Sequence, residues 1–292
     1  QMILRQGKPR MDLGILRLDY NFNNLIFGDA SGTEEDLYEN QLARGNKGIY
    51  WEDMKLQNAG FTWDYFAPQI LEEEFVDFKD GLLLPEGPGY QAIIIYQEAL
   101  PVTTAEKLLT LAEKGLPVIF VNGVHETLRP GGIGKTHKKA ACVTPYNDGE
   151  DEKLREIIAK IKALPNVKEI NKQEDTYETL VESGILPRTA FLENNINILT
   201  NVREDAGKMY VFTYNMKYGE TEPFDFSMKI QGEGKPYRID CWNGEVEEIG
   251  CYRYEGGATV LDIRLAPGEA AMFMVDTSEK EELHAVCTNV YA

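Results

Sequence analysis

The sequence predicts an α/β domain followed by an all-β domain, and two observations indicate this. Up to about residue 187, short β-branched runs alternate with amphipathic helical segments, an order that gives a parallel sheet covered by helices on both faces. After residue 187 the helical periodicity stops, and short alternating strands between turn residues predict an antiparallel β-sandwich. At 292 residues the chain is long enough for two domains with separate cores. We expect domains over residues 1–187 and 188–292, the second ending in a charged linker.

In the first half, apolar runs and helix-stop residues define the expected elements. The strands are predicted at residues 12–18, 62–66, 91–96, 116–121 and 167–170, and the helices at 50–59, 103–114, 151–164 and 176–182. Lys79-Asp80-Gly81 predicts a hairpin turn, and the polar residues 20–48 predict an inserted loop or an extra element. Thr103 and Glu106 have the spacing of a capping box, which would begin the central helix.

The corner after the strand at 91–96 is the most informative point of this half. Ligands of doubly wound sheets bind beyond the carboxyl ends of the strands, and this corner is Gln97-Glu98-Ala99-Leu100. It contains no cysteine or serine nucleophile and no glycine-rich phosphate loop. The β–α–β unit at residues 89–122 is therefore expected to be structural, and Glu98 is its only carboxylate at a functional position.

In the second half, alternating side chains predict which residues face the core. We expect inward faces formed by Tyr210, Phe212 and Tyr214, by Phe224, Phe226, Met228 and Ile230, and by Leu261, Ile263 and Leu265. Turns are expected at Ala206-Gly207, Gly232–Gly234, Asn243-Gly244, Gly256-Gly257 and Pro267-Gly268.

Charge and composition restrict the classes of partner. A net charge of −18 argues against nucleic acid and against an anionic membrane surface. No apolar run approaches the roughly 20 residues of a transmembrane helix, and no secretory signal is recognisable at the start. The chain opens at Gln1 like the middle of a domain, so we expect a piece of a longer protein. Its four cysteines lack metal-binding spacing, and whether Cys241 and Cys251 form a disulfide stays open.

Few residues carry chemistry. Residues 129–136 resemble a P-loop but place Arg129 where the first glycine belongs, so a surface loop is favoured. His125 follows the strand at 116–121 at the ligand-binding end of the sheet, although a solvated loop histidine is the default. Core packing is the default for Trp63 and Trp242, with stacking on a sugar as the alternative. The candidate substrate contacts are Glu98, His125 and Trp242; no catalytic, cofactor or metal residue is assigned.

The order of several short segments resembles a known family. These segments are residues 5–9, 59–65, 80–82 with Tyr90 and 92–96, 100–121, 210–215, 242–245 and 265–273. Together they resemble the region downstream of the catalytic barrel in α-L-rhamnosidases of glycoside hydrolase family 106. The resemblance implies a flavodoxin- or amidotransferase-like parallel sheet that has lost its catalytic cysteine, followed by a β-sandwich. The family's catalytic carboxylates and calcium site lie in the barrel, so none is carried over to this chain.

Three functional hypotheses follow. The leading one is a non-catalytic accessory region of a rhamnosidase-like glycoside hydrolase, which supports a barrel of the same parent polypeptide; that parent is expected to be secreted or periplasmic. The second is a carbohydrate-binding module that uses Trp242, Tyr252 and Tyr254 as stacking faces. The third is an amidotransferase-like enzyme acting through Cys142, which lies far along the chain from the corner and follows no apolar strand.

Overall fold

The computed structural model describes residues 3–18, 54–127, 134–145, 147–193, 198–217 and 220–280. The predicted loop at 20–48, Trp51 and the predicted linker beyond residue 280 lie outside these ranges. The described residues combine a parallel sheet flanked by helices with antiparallel sheets, so the predicted α/β plus all-β class is confirmed. No helix in these ranges is both long and apolar enough to cross a bilayer.

The first half of the chain alternates strands and helices. In chain order these are β1 (Lys8–Arg10), β2 (Leu13–Leu16), α1 (Met54–Ala59), β3 (Trp63–Phe66), β4 (Phe78–Lys79), β5 (Leu82–Leu83), β6 (Ala92–Ile95), α2 (Val102–Glu113), β7 (Val118–Val121), β8 (Val124–Thr127), β9 (Gly134–His137), α3 (Asp151–Lys162), β10 (Val167–Ile170) and α4 (Thr176–Glu182). The predicted strand at 167–170 and helix at 176–182 are confirmed, and the hairpin turns at Asp80-Gly81 as expected.

Five of these strands form one parallel sheet in the order β10-β7-β6-β2-β3. Numbered by appearance, this is 2-1-3-4-5, the order of flavodoxin-like doubly wound sheets. Alternate side chains point to opposite faces, and each face buries its own apolar cluster. Leu16, Ile93 and Phe120 pack with α2 and α3, whereas Leu13 and Ile94 pack with α1 and α4.

The predicted capping box at the start of α2 is wrong. The helix begins at Val102 with Pro101 at the N-cap, and no side chain caps it. The Thr103 hydroxyl donates to the Glu72 carboxylate instead, and Glu106 pairs with Lys153. Thr103 and Glu106 therefore both bind partners from distant segments, and their local spacing gives no information about those partners.

The second half forms two antiparallel sheets that enclose a third core. Its strands are β11 (Thr189–Phe191), β12 (Ile198–Asp205), β13 (Lys208–Asn215), β14 (Phe224–Gln231), β15 (Lys235–Ile239), β16 (Val246–Glu248), β17 (Arg253–Glu255), β18 (Ala258–Leu265) and β19 (Ala270–Asp276). The sheets have the orders β1-β12-β13-β19-β15-β16 and β11-β14-β18-β17. Their facing side chains, including Phe226, Met228 and Leu261, form one cluster, as predicted for β14 and β18.

The predicted inner face of β13 is wrong. Val211, Thr213 and Asn215 are the buried residues of this strand, whereas Tyr210 and Phe212 lie on the outer side of the sheet with Met272 and Met274. Two polar residues tolerate the core because backbone carbonyls satisfy them: Thr213 donates to Ala271 and Asn215 to Leu265. Alternation identified the two faces of the strand, but not which one is inside.

Buried hydrogen bonds join the two halves at the amino end of the parallel sheet. Arg188 donates to the carbonyls of Met11 and Gly89 and to the Asp12 carboxylate, at 3.2 Å for the last pair. Burial raises the pKa of Asp12, and the nearby positive charge of Arg188 opposes that rise. Strand β1 also crosses between the halves, since it pairs with β12. We retain residue 187 as a proposed domain boundary, with β1 contributed to the second sheet system.

Candidate functional site

The carboxyl edge of the parallel sheet is the first place to seek a site. The chain leaves β2 and β6, which are neighbours but first and third along the chain, at the topological switch point where ligands of such sheets bind. Gln97, which follows β6, is buried, and its Oε1 accepts a hydrogen bond of 2.7 Å from the amide of Leu18. The side chain that emerges at the switch point is therefore engaged within the chain.

A segment of the chain itself covers this corner. The amides of Ala141 and Cys142 donate to the carbonyls of Gln97 and Glu98, at 2.9 and 2.8 Å. Leu100 donates in return to the carbonyl of Val143. Backbone pairing thus engages the carbonyls of Gln97 and Glu98 and the amide of Leu100 at this corner.

Glu98 has a structural partner at this edge. Its Oε1 accepts a hydrogen bond of 3.0 Å from the amide of Lys138, which holds the covering segment against the corner. The backbone of His125 lies in β8, paired with Thr136 of β9. Residues 134–137 form a strand where a P-loop would require a helix, so the described part of that segment does not have P-loop structure. As substrate contacts, Glu98 and His125 stay predictions.

Cys142 lies nearer to the corner than its position in the sequence suggested. Its amide is hydrogen-bonded to Glu98, so the fold returns this distant loop to the exit of β6. The thiol is partly buried; burial, and secondly the negative charge of Glu98, raise its pKa. A cysteine nucleophile needs the opposite shift, because the thiolate is the reactive form.

The turn between β15 and β16 has a different character. Trp242 is 98% exposed, so the default expectation of core packing is wrong for this residue. Trp63, by contrast, packs against the cluster beside α1 and α4 as expected. Asp240 fixes the turn by accepting hydrogen bonds from the amides of Trp242 and Asn243, at 2.7 and 3.2 Å.

A cavity of about 530 Å³ lies beside Trp242. Phe212 lines it, and so do Arg238 and Glu269, whose charged groups are 3.5 Å apart. The free thiol of Cys241 also lines it. Cys251 is disulfide-bonded, so Cys241 and Cys251 do not pair with each other.

The other two aromatic residues proposed for stacking lie elsewhere. Tyr252 is buried, and Tyr254 packs against the same sandwich core, with the two ring centroids 5.6 Å apart. Their sequence spacing gave no indication of burial. Trp242 is therefore the aromatic residue of that set which the structure presents to solvent.

Sequence reasoning missed a second concavity, a cleft of about 830 Å³ between α4 and the sandwich. Four of its charged side chains form ion pairs: Lys55 contacts Glu178 at 2.8 Å, and Lys229 contacts Glu255 at 2.5 Å. No local pattern predicts this cleft, because its walls come from distant segments. Across the parts of the chain that the structure describes, no group of three or more potential metal ligands occurs.

Comparison with known proteins shows the fold. No protein-family model and no curated protein matches the chain. The structure of a rhamnosidase from Novosphingobium sp. PP1Y is similar over 100% of this chain, with 16% identity and a TM-score of 0.64. The chain covers 24% of that protein.

Two other solved structures are more distant. An exo-carrageenase of family GH42 from Bacteroides ovatus aligns with 91% of this chain and 29% of its own, at 12% identity and a TM-score of 0.42. The GH42 β-galactosidase Gan42B from G. stearothermophilus aligns with 92% of this chain and 40% of its own, at 12% identity and a TM-score of 0.40. At these scores neither contributes to the functional argument.

Proposed function

We propose that this chain is a non-catalytic accessory region of an α-L-rhamnosidase-like glycoside hydrolase of family 106. In this proposal its amidotransferase-like α/β domain and its sandwich support a catalytic barrel in the same parent polypeptide, which is secreted or periplasmic. The observation that carries the proposal is the extent of the fold similarity, which covers all of this chain but 24% of the rhamnosidase chain.

The carboxyl edge of the parallel sheet supports a structural role for the α/β domain. Segment 138–143 pairs with Gln97, Glu98 and Leu100 through backbone hydrogen bonds. Glu98, the corner's carboxylate, accepts a hydrogen bond from that segment. Glycosidases usually place two carboxyl groups across a bound sugar, about 5–10 Å apart, and the corner supplies one carboxylate that already has a structural partner.

A turnover assay tests the proposal. The purified chain should release no nitrophenol from an aryl α-L-rhamnoside above the uncatalysed rate, whereas the complete natural polypeptide should hydrolyse it. Turnover by the chain alone at an ordinary enzymatic rate, about 1 s⁻¹ or more, would contradict the proposal. An antibody against the chain should also detect a natural polypeptide much larger than 33.0 kDa; a natural product of that mass would count equally against it.

A further inference from the structure

The presentation of Trp242 is built into the fold. A tryptophan ring that is 98% exposed leaves a large apolar surface in water, and such surfaces commonly mark interaction sites. Asp240 holds the amide of Trp242, and Asn243 accepts a hydrogen bond of 2.8 Å from the amide of Glu245. The backbone that carries the ring is therefore ordered by its own side chains.

The space beside the ring has the size and chemistry of a ligand site. Its volume of about 530 Å³ falls within the range of roughly 300–1,000 Å³ for small-molecule sites. The Phe212 ring provides an apolar surface, while Arg238 and Glu269 provide a donor and an acceptor. Glu245 and Glu247 add further carboxylates to the lining.

We propose that Trp242 and this cavity bind a neutral oligosaccharide. The C–H face of a pyranose ring matches the flat indole, and its hydroxyl groups can donate to the carboxylates and accept from Arg238. The lining carries four carboxylates, Asp240, Glu245, Glu247 and Glu269, against the single guanidinium of Arg238. This charge disfavours uronic acid chains and other anions. The choice of a carbohydrate, rather than another neutral ligand, rests on the proposed function.

Calorimetric titration of the whole chain tests the site. The probes are neutral tetrasaccharides of rhamnose, galactose and xylose, with a tetragalacturonate as the anionic counterpart. We expect binding of at least one neutral probe and none of the uronate. Trp242→Ala should weaken that binding at least about tenfold, the loss typical when an aromatic hot spot is truncated. Phe75→Ala, which removes an exposed ring elsewhere, should leave it unchanged.

Thiol labelling gives a second readout. Cys241 and Cys142 are both free thiols, but only Cys241 lines the cavity. The neutral sugar should slow the reaction of Cys241 with a maleimide, while the slower reaction of Cys142 should not change. Peptide mass spectrometry distinguishes the two sites within one sample.

Two results would overturn the inference. One is the absence of heat from every neutral probe at millimolar concentration, with a normally folded chain. The other is protection of Cys241 in the complete natural polypeptide without any added sugar, which would identify this face as a contact with the rest of the parent protein. Neither result depends on hydrolysis, so failure of this inference is distinguishable from failure of the proposed function.

Discussion

The corner after β6 and the turn after β15 differ in how their backbone polar groups are hydrogen-bonded. At each, backbone polar groups need hydrogen-bond partners where the chain leaves a strand. At the corner, the backbone groups of Gln97 and Glu98 pair with a distant segment that lies across them. At the turn, Asp240 and Asn243 satisfy the amides locally, and Trp242 remains in solvent.

The difference shows where a partner can bind. A corner closed by long-range hydrogen bonds must lose some of them before it can receive a ligand, so binding there would compete with folding. A turn that is satisfied within itself can receive a ligand without such a loss. The position that the topology favours for chemistry is therefore covered by the chain's own backbone, whereas Trp242 on the sandwich is exposed beside a cavity.

The largest expected effect is a difference in stability between two tryptophan-to-alanine variants, one in each region. Trp63→Ala should lower the free energy of unfolding by about 3 kcal/mol, because it removes a partly buried aromatic side chain that packs against the α/β core. Trp242→Ala should change it by less than about 0.5 kcal/mol, because the ring makes little contact with the protein. Urea denaturation measures both. Similar losses of unfolding free energy for the two variants would contradict the proposed difference between the two regions.

An intermediate effect is expected at the corner. Gln97→Leu removes the acceptor of the Leu18 amide and leaves a part-buried donor without this partner, which should cost about 1–3 kcal/mol. Asn243→Ala is the matched change at the exposed turn, where water can replace the lost acceptor, and it should cost about 0.5 kcal/mol or less. A larger loss from Asn243→Ala than from Gln97→Leu in the same denaturation assay would reverse the comparison.

The smallest effect concerns Cys142, whose reactivity tests whether the corner retains a nucleophile. Burial raises its pKa, so less thiolate forms at a given pH. Its alkylation rate should therefore rise with a midpoint above the usual cysteine value of about 8.5. Rates measured by mass spectrometry from pH 6 to 10 give that midpoint. A midpoint below the usual value, with rapid labelling by a glutamine-analogue electrophile, would favour the amidotransferase-like alternative.

Local patterns predicted much of the fold. Helix α3 and strand β14 bury the side chains that their periodicity indicated, because one apolar face dominates each element. Strand β18 also buries its predicted residues, although its first four residues are buried on both faces. The predicted inner face of strand β13 was wrong, because both of its faces carry apolar residues. Its polar inner residues donate hydrogen bonds to carbonyls that are distant in the sequence. The capping-box prediction was wrong for a similar reason, because Thr103 donates its hydrogen bond to Glu72, which is distant in the sequence.

The candidate sites were less predictable. The corner's lack of a nucleophile followed from its residues, but its closure by segment 138–143 depends on tertiary pairing. The turn at Asn243-Gly244 was expected from its sequence. The exposure of Trp242 was not, because a tryptophan before an Asn-Gly turn is compatible with either burial or exposure.

The most direct test is an NMR titration of the folded chain with the neutral tetrasaccharides. Amide and indole N–H signals report separately on the corner and on the turn. We predict shifts at residues 238–247 and at the Trp242 indole, with none at residues 97–100 or 138–143. Shifts confined to the corner, with the turn unchanged, would contradict the proposed site at Trp242 and would indicate that the sugar binds at the parallel sheet instead.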